Sequence, residues 1–393
     1  MFSSRTDWDY TPNALSQLAA EKRSQGVQIL DLTESNPTRC GISYDPQLFK
    51  QLSSGESLRY EPEPHGLLSA RIAVAKYYQE RGTNIDPANI FLGASTSEAY
   101  SELFRLLCNP GESVLVPKPS YPLFDYLCAL NDVKVRHYRL AYDDEWRIDL
   151  DSLRDAVDSS TRALLLVHPN NPTGSFVKSD EIERILEFVH RNGIALIVDE
   201  VFSEYSLKES VGPLDTLSSE NNALVFTLNG ISKLLGMPQM KIAWITVSGE
   251  SAVVHDAVRR LEIICDTYLS AATPMQLALP AWLRGGREVT EQIKRRIKAN
   301  YRSLVSMTAR KPVSTLNAEA GWNAILQLPS IMSDDEWAIR TLKENNVIVH
   351  PGHYFEIERE SCVVVSLLPE ERFFLNGIGR VLETVDAGTR TAV

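Results

Sequence analysis

Leu224-Val225-Phe226-Thr227-Leu228 runs directly into Asn229-Gly230-Ile231-Ser232-Lys233, and these ten residues decide the fold. The apolar half has the composition of a strand buried on both faces. The polar half ends that strand by presenting one lysine to a site. Burying an ammonium disfavours its charged form and lowers its pKa, so a lysine held there points to chemistry. The chemistry that most wants a partly neutral amine is imine formation with a carbonyl. A Ser-Lys pair taken alone is more often a solvated surface feature, so the neighbouring strands have to carry the argument.

From Ile90 to Val247 short apolar runs alternate with helical patterns, as in a mainly parallel sheet covered on both faces. The predicted strands are 90–92, 114–116, 133–138, 163–167, 194–198, 223–228 and 242–247. Ligands of open α/β sheets sit beyond the carboxyl ends of the strands. After Leu92 comes Gly93-Ala94-Ser95-Thr96-Ser97-Glu98, a small-residue turn opening a helix whose free N–H groups suit a phosphate. After Val116 comes Pro117-Lys118-Pro119-Ser120-Tyr121-Pro122, where a tyrosine is placed to stack on a planar ligand. After Val167 comes His168-Pro169-Asn170-Asn171-Pro172-Thr173-Gly174, rich in amide donors, and after Val198 come Asp199 and Glu200. Each has a plain reading as a cap or turn, but five together describe a functional rim. A phosphate cradle, a stacking ring, amide donors, a carboxylate and an amine are what pyridoxal phosphate requires.

Composition narrows the alternatives. The 393 residues, 44% apolar and 23% charged, describe an ordinary globular chain of two to three domain-sized units. A net charge of −11 argues against nucleic acid or an anionic membrane as partner. The five cysteines, Cys40, Cys108, Cys128, Cys265 and Cys362, have no CxxC spacing and read as reduced thiols of a cytoplasmic protein, with no metal site. No apolar run has the length of a membrane span, and the first residues do not resemble a signal peptide. His65, His137, His190 and His255 read as surface or packing residues, and Trp322 as a core aromatic ahead of a residue lining the substrate pocket. Earlier in the chain, a helix over 12–25 and a strand over 29–32 precede the polar turn Thr33-Glu34-Ser35-Asn36-Pro37-Thr38-Arg39. An amphipathic helix over 372–385 closes the chain.

From about Asp31 to the C-terminal helix the chain resembles the class I/II aminotransferases, fold-type I enzymes that use pyridoxal 5′-phosphate. Asn171-Pro172-Thr173-Gly174, the Asp199-Glu200 pair 28 residues later, and Ser232-Lys233 carry the resemblance most specifically. It implies that Lys233 bonds the cofactor as a Schiff base and then shuttles the proton, and that Asp199 keeps the pyridine nitrogen protonated. It further implies that Asn171 donates to the ring oxygen, Tyr121 stacks on the ring, and Ser95, Thr96 and Ser97 bind the phosphate. Tyr60 looks like the tyrosine that reaches the phosphate of a neighbouring subunit, so a homodimer with shared sites is expected.

Three departures from the family pattern stand out. Phe202 stands three residues after Asp199, where the family commonly has a tyrosine that donates to the ring oxygen, and Tyr205 is the candidate substitute. The Lys233 imine is therefore expected to have a raised pKa. Lys241 stands eight residues after Lys233, where a phosphate-binding arginine is usual, so a point charge replaces a fork. Val364, in Cys362-Val363-Val364-Val365-Ser366, occupies the place of the arginine that grips the substrate α-carboxylate, and no Arg or Lys lies between Arg359 and Arg372. Either another group takes over, with Asn36, Arg39, His353 and Arg359 as candidates, or the substrate lacks a carboxylate there.

The expected architecture is α/β: a large cofactor domain over 44–278, and a smaller α+β domain formed by 279–393 joined by the N-terminal segment 1–43. The expected function is amino-group transfer between an amino donor and a keto acid. A carbon–sulfur or β-eliminating lyase uses the same scaffold, and a cofactor-binding regulator without catalysis is the reading from outside the enzymes.

Overall fold

The computed structural model describes residues 1–208, 216–217, 222–269 and 271–391. Its first helix, α1 (Ala14–Ser24), is capped by Asn13, whose side chain accepts from the Ser16 N–H. The first strand, β1 (Leu30–Asp31), leaves the N-terminal region to pair elsewhere, as described below. Helix α2 (Leu68–Gln79) follows.

The main sheet is built from β2 (Ile90–Gly93), β3 (Ser113–Lys118), β4 (Lys134–Asp143), β5 (Glu145–Ile148), β6 (Thr161–Val167), β7 (Ala195–Asp199), β8 (Val225–Gly230) and β9 (Ala243–Ser248), in the order β2-β9-β8-β7-β6-β3-β4-β5. The β4, β3, β6, β7 and β8 block is parallel. Two features refine the expectation from sequence. Strand β9 runs antiparallel between β2 and β8, and β5 returns on β4 as a hairpin that the apolar-run reading missed. Helices α3 (Thr96–Leu107), α4 (Leu123–Leu130), α5 (Leu150–Ala156), α6 (Ser179–Asn192), α7 (Ile231–Leu234) and α8 (Ser251–Tyr268) alternate with the strands.

Alternation along each strand sorts the core into layers. Val114, Val116, Leu165 and Phe226 face α3, α4 and α8, whereas Leu115, Leu164, Leu166 and Val225 face α5 and α6. Both faces are covered, which is why the strands read as continuous apolar runs. A third layer joins Leu92 and Trp244 to α2 and to α9 (Thr273–Gly285), and Ala278, the predicted end of the large domain, lies inside that helix.

The long α10 (Arg287–Thr308) leads to a second sheet of β10 (Ser314–Thr315), β11 (Asn323–Gln327), β13 (His350–Pro351) and β14 (Cys362–Ser366), in the order β10-β11-β14-β13. Helix α11 (Asp334–Asn345) precedes β12 (Val347–Ile348), which pairs in parallel with β1 through Leu30↔Val347 and Asp31↔Ile348. One face of this layer, with Val363, Val365, Ala324 and Leu326, packs under α10, α11 and α12 (Glu371–Thr391). The other, with Ile325, Val364 and Cys362, packs against Trp146 of the β5 hairpin and Phe355.

Candidate active site

Lys233 sits on α7, the short turn that follows β8. Gly230, at the junction, has no side chain because a Cβ there would stand 2.8 Å from the Ala243 Cβ and 3.1 Å from the Ile242 carbonyl of the antiparallel strand. The backbone around the lysine is held on three sides. The Tyr205 hydroxyl donates to the Lys233 carbonyl at 2.6 Å and reaches that of Leu234 at 3.1 Å, Thr290 of α10 donates to Leu234 at 2.7 Å, and Tyr44 donates to Gly236 at 2.5 Å. Tyr205 is fully committed to this task, so it does not substitute for the hydroxyl missing at Phe202. The lysine amine lies 5.3 Å from the Trp322 ring and 5.8 Å from that of Phe202, and these two rings meet edge to face. Burial lowers the pKa of this amine, with Lys241 adding to the effect and Asp199 opposing it.

Asp199 ends β7, in register with Val167 on one side and Leu228 on the other, so it shares the carboxyl edge of the sheet with the Lys233 turn. It is 8% exposed. Its Oδ2 accepts from Tyr100 at 2.9 Å and its Oδ1 from the Val201 N–H at 3.0 Å. Burial nevertheless pushes its pKa up to about 6, against those two bonds and Lys233. A carboxylate so placed favours a cationic N–H partner. Glu200 points elsewhere, accepting from Thr216 and the Leu217 N–H, and burial raises it to about 7.

Asn171 begins the turn after β6. Its Oδ1 accepts from the Asn323 amide at 2.6 Å, which leaves its own NH₂ to donate. Asn323 comes from β11 of the smaller sheet, and the loop before it is sewn to the same turn. The Gly174 carbonyl accepts from Glu319 and Ala320, and the Gly321 N–H donates to Tyr205. Gly174 has φ +67° and its missing Cβ would stand 2.3 Å from the Ala320 carbonyl, so this close approach requires glycine.

Ser95 caps α3, its hydroxyl accepting from the Glu98 N–H at 3.1 Å, and the N–H groups of Thr96 and Ser97 lie in the first turn without helical partners. Glu98 turns back to accept from the Ala94 N–H. Tyr121 is half exposed after β3, and the Ser120 N–H bonds the Phe355 carbonyl beside it. Lys241, at φ 47°, is exposed at the start of β9. Tyr60 is 72% exposed.

The proposed carboxylate grips are not assembled. Asn36 uses its Oδ1 to cap the turn 37–39. Arg39 is exposed and paired with Glu34 at 3.7 Å, and Arg359 is bonded to Gln327. His353 is held outside by Asp334, through both its backbone N–H and its ring. Val364 is 1% exposed and sealed among Trp146, Ile325 and Phe355. Sequence reasoning missed Tyr100 and Asn323. Tyr100 left a faint signal as a polar-tipped residue on the buried face of α3, beside Ala99, Leu103 and Phe104, whereas Asn323 left none.

Residues 29–372 match the family model described as aminotransferase class I and II. A glutamate-pyruvate aminotransferase of Haemophilus influenzae is 28% identical over 277 residues, covering 70% of this chain and 68% of the relative. An S-alkyl-thiohydroximate lyase of Arabidopsis thaliana is 28% identical over 342 residues, 82% of this chain and 73% of the relative. Among solved structures, an alanine aminotransferase from Pyrococcus furiosus superposes with a TM-score of 0.89 at 21% identity, over 98% of this chain and all of that one.

Proposed function

The chain belongs to the class I and II aminotransferase family and is a pyridoxal 5′-phosphate enzyme of amino-group transfer; from that premise we propose that Lys233 is the amine that holds the cofactor and moves the proton. The observation that carries this is the carboxyl edge of the sheet, which Asp199, the Asn171 turn and the Lys233 turn share, with Trp322 and Phe202 beside the amine.

The residues present fit the cofactor. A desolvated carboxylate that favours an N–H partner, an amide with its NH₂ left over, and the free N–H groups of the first turn of α3 match its ring nitrogen, ring oxygen and phosphate. Bound there, pyridoxal 5′-phosphate supplies a carbonyl carbon and an electron-withdrawing ring. Asp199, oriented by Tyr100, holds the proton on the ring nitrogen. Asn171, oriented by Asn323, donates to the ring oxygen. Ser95, Thr96 and Ser97 receive the phosphate, with Lys241 supplying charge. Lys233, its pKa lowered by burial, would move a proton to and from the substrate carbon. Phe202 and Trp322 stand beside the lysine amine as apolar walls.

Lys233→Ala is expected to lower turnover by about 10²- to 10⁴-fold, and borohydride reduction followed by peptide mapping should label Lys233 in the native protein. A label elsewhere overturns the reading. One relative is named a lyase, which favours elimination as the second reading, and release of ammonia without any keto acid would decide for it.

We propose amino acids and keto acids as the substrates and a homodimer as the working form, with residues 44–278 as the cofactor domain and 1–43 plus 279–393 as the smaller one. The exposure of Leu58, Tyr60, Ile263, Tyr268 and Leu269 leaves each available to a partner copy. The five free thiols support a reducing, cytoplasmic setting, and no described helix is long and apolar enough to cross a membrane.

A further inference from the structure

One face of the smaller sheet, packed against Trp146 and Phe355, carries Asn323 to the site, and its register says which residues share that face. Asn323, which reaches Asn171, shares a side of β11 with Ile325 two residues on. Ile325 pairs with Val364, and Val364 pairs with His350. Directly opposed residues of an antiparallel ladder present their side chains to the same side. His350 therefore stands on the face that delivers Asn323 to the site, about 12 Å from Asn323 between Cα atoms by strand geometry.

The surroundings of this histidine are specific. Tyr354 and Phe355 flank its ring at 5.9 and 5.7 Å between centroids. It is partly exposed, and among the described residues its ring nitrogens have no hydrogen-bond partner. Its neighbour Val364 offers nothing polar, while Arg39, Arg359 and His353 are engaged with Glu34, Gln327 and Asp334. The charged and titratable groups about it are Asp31 of β1, Tyr354, and beyond Tyr354 the His353 ring with Asp334 and Asp335 of α11.

We propose that His350 is a specificity-determining residue, whose imidazole receives an oxyanionic group, carboxylate or phosphoryl, at the end of the amino substrate remote from the transferred nitrogen. The proposal rests on the Lys233 site being where transfer occurs. Burial holds the free imidazole below its ordinary pKa, with Asp31 opposing. A bound oxyanion favours the protonated ring, so binding takes up a proton and strengthens as pH falls from 8 to 6.

The test compares native holoenzyme with His350→Phe and His350→Arg, following cofactor absorbance in the half-reaction with L-glutamate, O-phospho-L-serine and L-norvaline. His350→Phe is expected to raise KM about ten- to hundredfold for at least one of the acidic donors, with kcat and the norvaline reaction little changed. His350→Arg should restore KM and abolish its pH dependence, and the acid that responds identifies carboxylate or phosphoryl. Equal KM in His350→Phe, equal loss on all three donors, or a native enzyme that takes norvaline and neither acid overturns the proposal. Isothermal titration with succinate and with inorganic phosphate, in two buffers of different ionisation enthalpy, needs no turnover. Proton uptake in the native protein that His350→Phe lacks supports the role, and its absence in the native protein overturns it. A native enzyme whose cofactor absorbance no donor changes would sink the Lys233 reading instead, and the calorimetry would still decide for His350.

Discussion

Phe202 is the residue whose identity changes the chemistry most simply. A hydroxyl there would donate to an oxyanion beside the cofactor linkage, and the phenyl ring cannot, while Tyr205 is occupied by the Lys233 carbonyl. The protonated linkage should therefore persist to higher pH than in Phe202→Tyr, whose spectrophotometric midpoint is expected about one pH unit lower. An unchanged midpoint would show that the added hydroxyl does not reach. Asp199 makes a second prediction. Its folded pKa of about 6 lies above the ordinary carboxylate value, so the folded protein binds the extra proton and loses stability as pH rises through the window from about 4 to 6. Cofactor-free Asp199→Asn should thus be more stable than the native chain at pH 7, by roughly 1–3 kcal/mol, and equal to it near pH 4, as denaturant titration would read.

At the scale of elements, α3 carries two opposed demands. Glu98 in its first turn stabilises the helix dipole and holds the Ala94 N–H, yet it places a negative charge beside the proposed phosphate seat. Glu98→Gln keeps the acceptor and drops the charge. Cofactor affinity should rise about two- to fivefold while melting falls slightly, both by the few tenths to one kcal/mol that such dipole interactions carry, and equilibrium dialysis with thermal melts separates the two. The strands and the residues that cap them were legible in sequence because each apolar run ends abruptly in turn-forming side chains, as Val198 gives way to Asp199 and Leu228 to Asn229. Direction was not. Nothing local to 243–248 tells that β9 runs against β8, since orientation is set by pairing across the sheet. The same reason hid Asn323 and Tyr100, whose partners lie 152 and 99 residues away.

The whole molecule exposes a prediction about assembly. Tyr60 is nearly free in one chain, so a site completed by a second copy should allow rescue. Lys233→Ala and Tyr60→Ala variants, each impaired, should regain part of the native activity when co-expressed and mixed as hybrids, because one of the two sites then has both residues. Sedimentation equilibrium should give twice the chain mass, and a monomer that is fully active would refute the shared site. A different consequence follows from the pairing of β1 with β12, which joins residue 30 to residue 347. During synthesis β1 leaves the ribosome long before β12 exists, so Leu15, Leu30 and Leu32 lack their seat against α11 and β12 until those elements have been made. A ribosome stalled short of α11 would hold an unfinished smaller sheet and an unpartnered α1 and β1, a substrate for holding chaperones, and the lysine would gain its Trp322 neighbour only once the loop before β11 had been made.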